Sequence, residues 1–324
     1  MAANDNSEQL LSDAYLRLRA AVSLLQEEDE GETADRAPTL PSPVRVQAAL
    51  AALPRPDHPN YLQPRGTKAT LDHIVDTIVP ALNGQNLSGR YYGFVTGSVL
   101  PVAEAADNVV SALDQNLHAH LPRQTVSTSV EAAALQMLTD VFDLAGDQWT
   151  GRILTTGATA SNVLGLAMGR EATISLRLRL RREEHQQLVR DTLASPNAVA
   201  ELGLLRACQE AGVSDIRIIT SLGHSSLYKA ASIVGLGRSA IVDLPYSDAE
   251  PWRLDISAVE QTLQAAAQTA GNGEGNQGDS GVVHIISISA GEINTGQFAT
   301  TGQADMQRLR ALADKYGAWI HVDA

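Results

Sequence analysis

The apolar positions in the first part of the chain recur at helical spacing. Between residues 8 and 28, Leu and Ala return every three or four positions, which predicts an amphipathic helix. The ranges 44–53 and 69–83 predict two further helices, separated by a turn rich in proline. These helices either pack on another subunit or cover their own domain. We predict an N-terminal helical arm and linker over residues 1–88, followed by one larger domain over 89–324.

Apolar runs of strand length alternate with helical segments in the larger domain. Strands are predicted over 152–156, 215–220, 240–245, 282–289 and 319–322. Helices are predicted over 160–170, 224–234, 256–267 and 301–316. This alternation predicts an α/β fold with a mainly parallel sheet flanked by helices. The charged stretch 177–190 predicts a solvated helix, and the Gly- and Asn-rich stretch 269–280 predicts a surface loop.

The composition narrows the classes of partner and compartment. The chain has 24 Lys plus Arg against 37 Asp plus Glu, a net charge of −13, which argues against nucleic acid or an anionic membrane as the main partner. Cys208 is the single cysteine, so no intramolecular disulfide forms, as is usual in a reducing compartment. Neither a secretory signal nor a membrane-spanning run is apparent in the sequence. We therefore predict a cytoplasmic protein.

The segment after the first predicted strand has the features of an anion site. In an open parallel sheet, ligands bind beyond the carboxyl ends of the strands. Gly157 permits a tight turn there, and the small side chains of Ala158 and Thr159 leave the amides at the start of the next helix accessible. Such amides form a phosphate site in many proteins. The alternative is an ordinary turn between strand and helix, capped by Thr159.

Three further loops at the same edge carry chemically useful side chains. His224 begins a predicted helix, where its ring either lies against an aromatic ligand or caps the helix. Glu292 and Asn294 lie between two glycines, in a loop that either contacts a ligand or has a structural role. Asp323 ends the last apolar strand, where a carboxylate needs a cationic or hydrogen-bonding partner. A protonated pyridine nitrogen would be such a partner, and a helix cap is the alternative.

Taken together and in this order, these loops resemble the group II pyridoxal-phosphate-dependent decarboxylases, the family that includes the aromatic amino acid, histidine and glutamate decarboxylases. The resemblance runs from about residue 58 to residue 324. It rests on six motifs, which are RYYGFVTG at 90–97, DQN at 114–116, the Gly157 loop, GHSSLYKA at 223–230, GEINTG at 291–296 and HVDA at 321–324. It implies the large domain of the aspartate-aminotransferase-like (type I) fold.

The resemblance also implies a cofactor, pyridoxal 5'-phosphate (PLP), and roles for matching residues. Ala158 and Thr159 would hold the phosphate, and Asn162 would support the Gly157 loop. His224 would stack on the pyridine ring and assist proton transfer, and Asp323 would keep the ring nitrogen protonated.

Two positions depart from the family pattern. Many members carry Thr at the position of Glu292, in the loop where Glu292 and Asn294 would approach the cofactor. Ala160 replaces a Glu that is common in the phosphate loop. These changes indicate a less characterised branch of the family.

The implied reaction is decarboxylation of an L-amino acid by a homodimer, without a metal. Tyr91, Tyr92 and Phe94 would line the substrate pocket. Another PLP reaction on the same fold, such as aminotransfer or carbon–sulfur cleavage, is an alternative, because fold alone does not fix the reaction.

The lysine to which such enzymes attach PLP has no match in this sequence. In the family that residue lies downstream of the counterpart of Asp323, whereas the lysines here are Lys68, Lys229 and Lys315. We therefore expect a chain that lacks the end of the large domain and the small C-terminal domain, and that has no decarboxylase activity alone. A non-catalytic paralogue is the alternative.

Overall fold

The computed structural model describes residues 5–27, 40–84, 99–115, 119–184, 198–268 and 281–324. The chain forms two compact units, Met1–Glu131 and Ala132–Ala324. Compactness alone does not assign a role to either unit. The division into an arm over 1–88 and a cofactor-binding domain over 89–324 therefore stays a prediction.

The first unit is helical in its described part. Helix α1 spans Asp5–Glu27, α2 Pro43–Ala52, α3 Thr67–His73 and α4 Pro101–Ala112, while α5, Ser127–Val141, crosses into the second unit. The three predicted helices are confirmed, but α4 and α5 were not predicted. The third continues beyond α3 as a π-turn, Ile74–Ile78, and a 3-10 turn, Val79–Ala81. Pro80 lacks the N–H that a longer α-helix would need.

The second unit alternates helices and strands. Its helices are α6 Ala158–Glu184, α7 Ala198–Leu202, α8 Leu204–Ala211, α9 Ser225–Ile233, α10 Ile256–Gln268 and α11 Gln303–Tyr316. Its strands are β1 Asp215–Thr220, β2 Ile241–Asp243, β3 Val282–Ser289 and β4 Trp319–Asp323.

The four strands form one parallel sheet in the order β2-β1-β3-β4. One apolar core packs α6, α8 and α9 on one face of the sheet, and a second packs α10 and α11 on the other. After β1 the chain crosses to β2 at one edge of the sheet, and after β3 it crosses to β4 at the other edge. The carboxyl ends of β1 and β3 therefore flank the crevice where such sheets bind ligands. The predicted α/β fold with a parallel sheet is confirmed.

The predicted strand at 152–156 is wrong. These residues form no strand, and Ile153 and Leu154 are 65% and 61% exposed. Apolar β-formers become a strand only when a neighbouring strand pairs with them, and the described part of the chain supplies none for this segment.

Other predicted bounds shift. Helix α6 begins at residue 158 rather than 160 and continues to Glu184, because no Gly or Pro interrupts the charged stretch and arginine favours helices. The strand at 240–245 is shortened to β2, and Pro245, which has no N–H, instead makes an isolated antiparallel bridge with Leu254. The predicted loop at 269–280 lies outside the described residues.

Candidate functional site

The ends of three parallel strands bring the predicted site residues to one edge of the sheet. His224 follows β1 by four residues, Glu292 follows β3 by three, and Asp323 is the last residue of β4. The strand ends are aligned because Ser289 of β3 is in register with Asp323 of β4. Helix α6, whose first residues were predicted to bind phosphate, packs against both β3 and β4.

The amide of Asn162 is the centre of a hydrogen-bonded cluster. Its Nδ2 donates to the Oγ of Ser226 at 3.0 Å and to Oδ2 of Asp323 at 3.1 Å. Its Oδ1 lies 2.6 Å from Nε2 of His321. Asn162 is only 2% exposed, so these contacts are shielded from competing water. One side chain of α6 thus connects the start of α9 with the end of β4.

The structure places His224 at the N-cap of α9. Its Nδ1 accepts a hydrogen bond from the N–H of Ser226 at 3.3 Å and lies 2.7 Å from the Oγ of the same residue. The capping interpretation of His224 is therefore confirmed. Because Ser226 also bonds to Asn162, the half-buried imidazole is tied to the Asp323 cluster. Stacking on a ligand stays a prediction.

The first turn of α6 presents unused backbone donors. The N–H groups of Ala158 and Thr159 make no hydrogen bond within the part of the chain that the structure describes, whereas those of Ala160 and Ser161 donate to the carbonyl of Gly157 at 2.9 and 3.1 Å. The positive end of the helix dipole lies at the same place. Thr159 does not cap the helix, because α6 already begins at Ala158.

The Glu292 loop satisfies its own polar groups. Glu292 is 2% exposed, and its carboxylate accepts hydrogen bonds from the backbone and side chain of Asn294 and from those of Thr295. Burial alone would raise the pKa of Glu292, but these four hydrogen bonds outweigh it and hold that pKa below its usual value. The structural role of this loop is thus evident, and a cofactor-binding role for Glu292 and Asn294 stays a prediction.

Sequence reasoning overlooked three residues of the cluster. Ser226 lies in the predicted GHSSLYKA motif but received no role. His321 is two positions before Asp323, so the period of a strand places both on the same face of the sheet. Gly165, one turn after Asn162 on α6, packs directly on the His321 ring. The spacing of His321 and Asp323 was the signal that could have revealed the shared face.

Some predictions fall outside what the structure describes. Tyr91, Tyr92 and Phe94, the predicted substrate pocket, lie outside the described residues. Within the described ranges, no group of His, Cys, Asp and Glu side chains has the arrangement of a metal site. None of the helices searched there is long and apolar enough to cross a membrane.

The donors and acceptors of this edge fit a planar, nitrogen-containing aromatic ligand with a phosphate. Open helix amides suit the phosphate, because they donate hydrogen bonds and carry partial positive charge. The carboxylate of Asp323 has one oxygen oriented by Asn162 and suits a protonated ring nitrogen. An imidazole held at a helix start supplies a flat face.

Comparisons of sequence place the chain near amino acid decarboxylases. It is 24% identical over 173 residues to L-2,4-diaminobutyrate decarboxylase of Acinetobacter baumannii, a match covering 53% of this chain and 28% of the relative. It is 23% identical over 231 residues to L-aspartate decarboxylase dtxS4 of Metarhizium robertsii, covering 71% and 36%. The matched part of this chain thus spans about a third of these relatives' length. No protein-family model matches the sequence.

Solved structures show the same fold. The glutamate decarboxylase domain of diaminobutyrate-pyruvate transaminase and L-2,4-diaminobutyrate decarboxylase from Vibrio parahaemolyticus superposes with a TM-score of 0.66 at 20% identity, covering 97% of this chain and 57% of that one. Oryza sativa TDC with PLP and tryptamine gives a TM-score of 0.64 at 20% identity, covering 100% and 55%. The chain thus resembles named amino acid decarboxylases in sequence and shares the fold of solved PLP-dependent decarboxylases.

Proposed function

We propose that the edge of the sheet formed by α6, α9 and β4 binds PLP. The observation that carries this proposal is the convergence of Asn162, Ser226, His224 and Asp323 through hydrogen bonds of 2.7 to 3.1 Å, at the ligand-binding edge of the sheet. When bound, PLP supplies an electron sink for the electron pair left behind as carbon dioxide departs.

The residues of the chain have separate tasks in this proposal. Asp323 holds a proton on the ring nitrogen, and Asn162 keeps the carboxylate turned towards it. The N–H groups of Ala158 and Thr159, in the turn that Gly157 begins, hold the phosphate. His224 covers one face of the ring and excludes water from it. Glu292 and Asn294 hold the neighbouring loop close to the cofactor through their mutual hydrogen bonds.

The reaction we propose for the protein is decarboxylation of an L-amino acid, with Tyr91, Tyr92 and Phe94 in the substrate pocket. Two relatives are named as decarboxylases of L-2,4-diaminobutyrate and of L-aspartate, and these names support a small polar amino acid as substrate. We also propose a homodimer in the cytoplasm. Support for the dimer comes from Val102 and Val109 of α4 and from Leu113 directly after it, which expose apolar side chains to solvent.

We further propose that the 324-residue polypeptide alone does not turn substrate over. Among the described contacts, none brings Lys229 or Lys315 to Asp323, and neither these lysines nor Lys68 matches the lysine of the resembling family. Lys229 is exposed on α9, one turn beyond the His224 cap. The chain would then bind PLP reversibly, without the covalent bond that borohydride reduction fixes in lysine-linked enzymes.

Titration of the purified chain with PLP tests the binding proposal. We expect saturable quenching of the protein's tryptophan fluorescence, and an affinity at least about tenfold weaker for Asp323→Asn, because the ring nitrogen loses its anionic partner. The exposed carboxylate variant Asp248→Asn is the matched control and should bind like the parent chain. Absence of saturable binding, or equal binding by Asp323→Asn, would contradict the proposal.

A carbon dioxide release assay tests the statement about turnover. The chain is incubated with PLP and, in turn, L-2,4-diaminobutyrate, L-aspartate and L-glutamate. We expect release no faster than PLP alone produces. Release above that background, abolished by Asp323→Asn, would refute the proposed inactivity while supporting the proposed reaction.

A further inference from the structure

His321 is a half-buried ionisable side chain that the proposed function does not use. Its Nε2 lies 2.6 Å from Oδ1 of Asn162. The ring is also fixed from behind, since a Cβ added at Gly165 would lie 2.5 Å from its Cε1 and 2.6 Å from its Nδ1. The imidazole therefore packs against the backbone of α6 and directs its Nε2 edge at the amide.

The hydrogen bonds of this cluster allow one consistent assignment of donors. The carboxylate of Asp323 only accepts, so the group of Asn162 that faces it is Nδ2, and Oδ1 faces His321. His321 must then donate through a protonated Nε2. At the other end, Nδ1 of His224 accepts from the N–H of Ser226, so the proton of a neutral His224 ring resides on Nε2.

Ser226 completes the sequence of donors. Its Oγ accepts from Nδ2 of Asn162 and therefore has its own proton available for Nδ1 of His224, 2.7 Å away. The hydrogen bonds thus form one connected set, from His321 through Asn162 and Ser226 to His224 with a branch to Asp323, in which each bond supports the assignment of its neighbours. Turning the Asn162 amide over would set its oxygen against the carboxylate.

We propose that His321 is a positioning residue that orients the Asn162 amide. Through this amide it orients the Asp323 carboxylate and favours one tautomer of His224. The part of this proposal that concerns affinity rests on the proposed PLP site. The part that concerns the two tautomers rests on the protein alone. The two parts can therefore fail separately.

Nitrogen-15 NMR of the histidine rings in the 324-residue chain tests the tautomers without cofactor. We expect both His321 and His224 to carry the proton on Nε2, with the signals assigned by substitution. In His321→Ala we expect the His224 ring to move towards the average of two tautomers, and PLP affinity to fall about tenfold because the carboxylate is no longer oriented. His321→Gln, which keeps an amide donor, should restore most of both.

His284→Ala is the matched control, because it removes an imidazole that is buried on β3 and lies outside the cluster. It should leave the His224 ring signals and the PLP affinity unchanged. A proton on Nδ1 of His224 or of His321 in the parent chain would overturn the proposal, even if every variant fails to fold. So would a His321→Ala protein with unchanged His224 signals. If the parent chain shows the expected tautomers but does not bind PLP, the proposed function fails and the positioning role stands.

Discussion

At the scale of single residues, the buried side chains of Glu292 and His284 both have lowered pKa values, but for different reasons. Glu292 is surrounded by donors from Asn294 and Thr295, which stabilise its charged form. His284, 5% exposed on β3, has its pKa lowered to about 4, first by burial and then by the nearby Arg217, with Asp215 opposing. Both groups release protons on folding, so both make the folded state sensitive to acid.

Replacing Glu292 by Gln is expected to lower the free energy of unfolding by about 1–3 kcal/mol at neutral pH, because charged hydrogen bonds are lost and an amide NH₂ would face donors. The lowered pKa means that the stabilisation is present above the ordinary pKa of 4.5 and disappears as the pH falls through the lower folded-state value. Urea unfolding between pH 7 and pH 3 measures it. Glu201→Gln, at an exposed position, is the control. Equal stabilities at pH 7 would contradict this account of the loop.

Replacing His284 by Gln is expected to flatten the dependence of stability on pH. The unfolded chain binds a proton near the ordinary pKa of 6.5, whereas the folded chain binds it only near 4. Stability is therefore lost as the pH falls from 6.5 towards 4, by on the order of 2 kcal/mol for this group. Unfolding midpoints in urea, measured across that range, should change less in the variant. The exposed His58→Gln should keep the steep profile, and a variant as steep as the parent would refute the assignment.

At the scale of elements, the close approach of α6 to β4 organises the site. Gly165 faces the ring of His321, and a Cβ at Gly169 would lie 2.7 Å from Cδ1 of Trp319 and 3.1 Å from Cδ1 of Ile285. The two glycines are one helical turn apart, so they form a strip of α6 without side chains, against which β4 packs. The approach is what lets the short side chain of Asn162 reach Asp323.

Substituting Ala for Gly169 tests this packing. In an exposed helix the change stabilises by about 1 kcal/mol. Here the added methyl group overlaps an indole ring, so we expect a loss of about 1–3 kcal/mol. Chemical denaturation measures the difference. Met168→Ala, at an exposed position on the same helix, should cost far less, and a stabilised Gly169→Ala protein would show that the helix and strand are less closely packed.

The helices and strands show which parts of the fold can be predicted from the sequence. β1 and β3 were predicted to the residue, because their apolar runs are buried on both faces and need no other information. The segment 152–156 has a similar apolar character but no pairing strand, and pairing is a property of distant residues. The charged end of α6 was predicted as a separate helix over 177–190, but its continuity with the helix at 160–170 was missed, because it shares no apolar period with that helix.

The site was predictable to a similar degree. His224, Asn162 and Asp323 were each identified from motifs, and the structure brings them together. Their direct connection through Ser226 and His321 was not predicted, because hydrogen bonds between residues 64 and 159 positions apart leave no local pattern. The internal bonding of Glu292 could have been anticipated, since acceptors followed closely by Asn and Thr favour local turns.

At the scale of the whole molecule, the two compact units differ in how much apolar surface they bury. Within the described ranges, the buried apolar side chains of the first unit are Ala14, Ala49, Val75 and Val79. The second unit buries two extensive cores on opposite faces of its sheet. Local stability follows buried apolar contacts, so the two units should differ in their opening equilibria.

Hydrogen exchange measured by mass spectrometry should reveal this difference in the 324-residue chain. We expect the amides of β1 and β3 to exchange most slowly, and those of α4, which buries none of its residues fully, to exchange at least about a hundredfold faster. Peptides from α10 serve as an internal control for exchange in a well-packed helix, because α10 packs on the second core. Equal protection of α4 and β3 would mean that the first unit is stabilised by contacts beyond its own core.

The contact between Gly165 and His321 has a consequence for the evolution of this protein. The ring and the missing methyl group occupy one shared volume. Among divergent homologues, growth of the side chain at position 165 should therefore be accompanied by shrinkage at position 321. Lineages that have lost the imidazole would be free to fill the helix position. Paired change at these two sites would mark the lineages in which the orientation of Asn162 no longer matters.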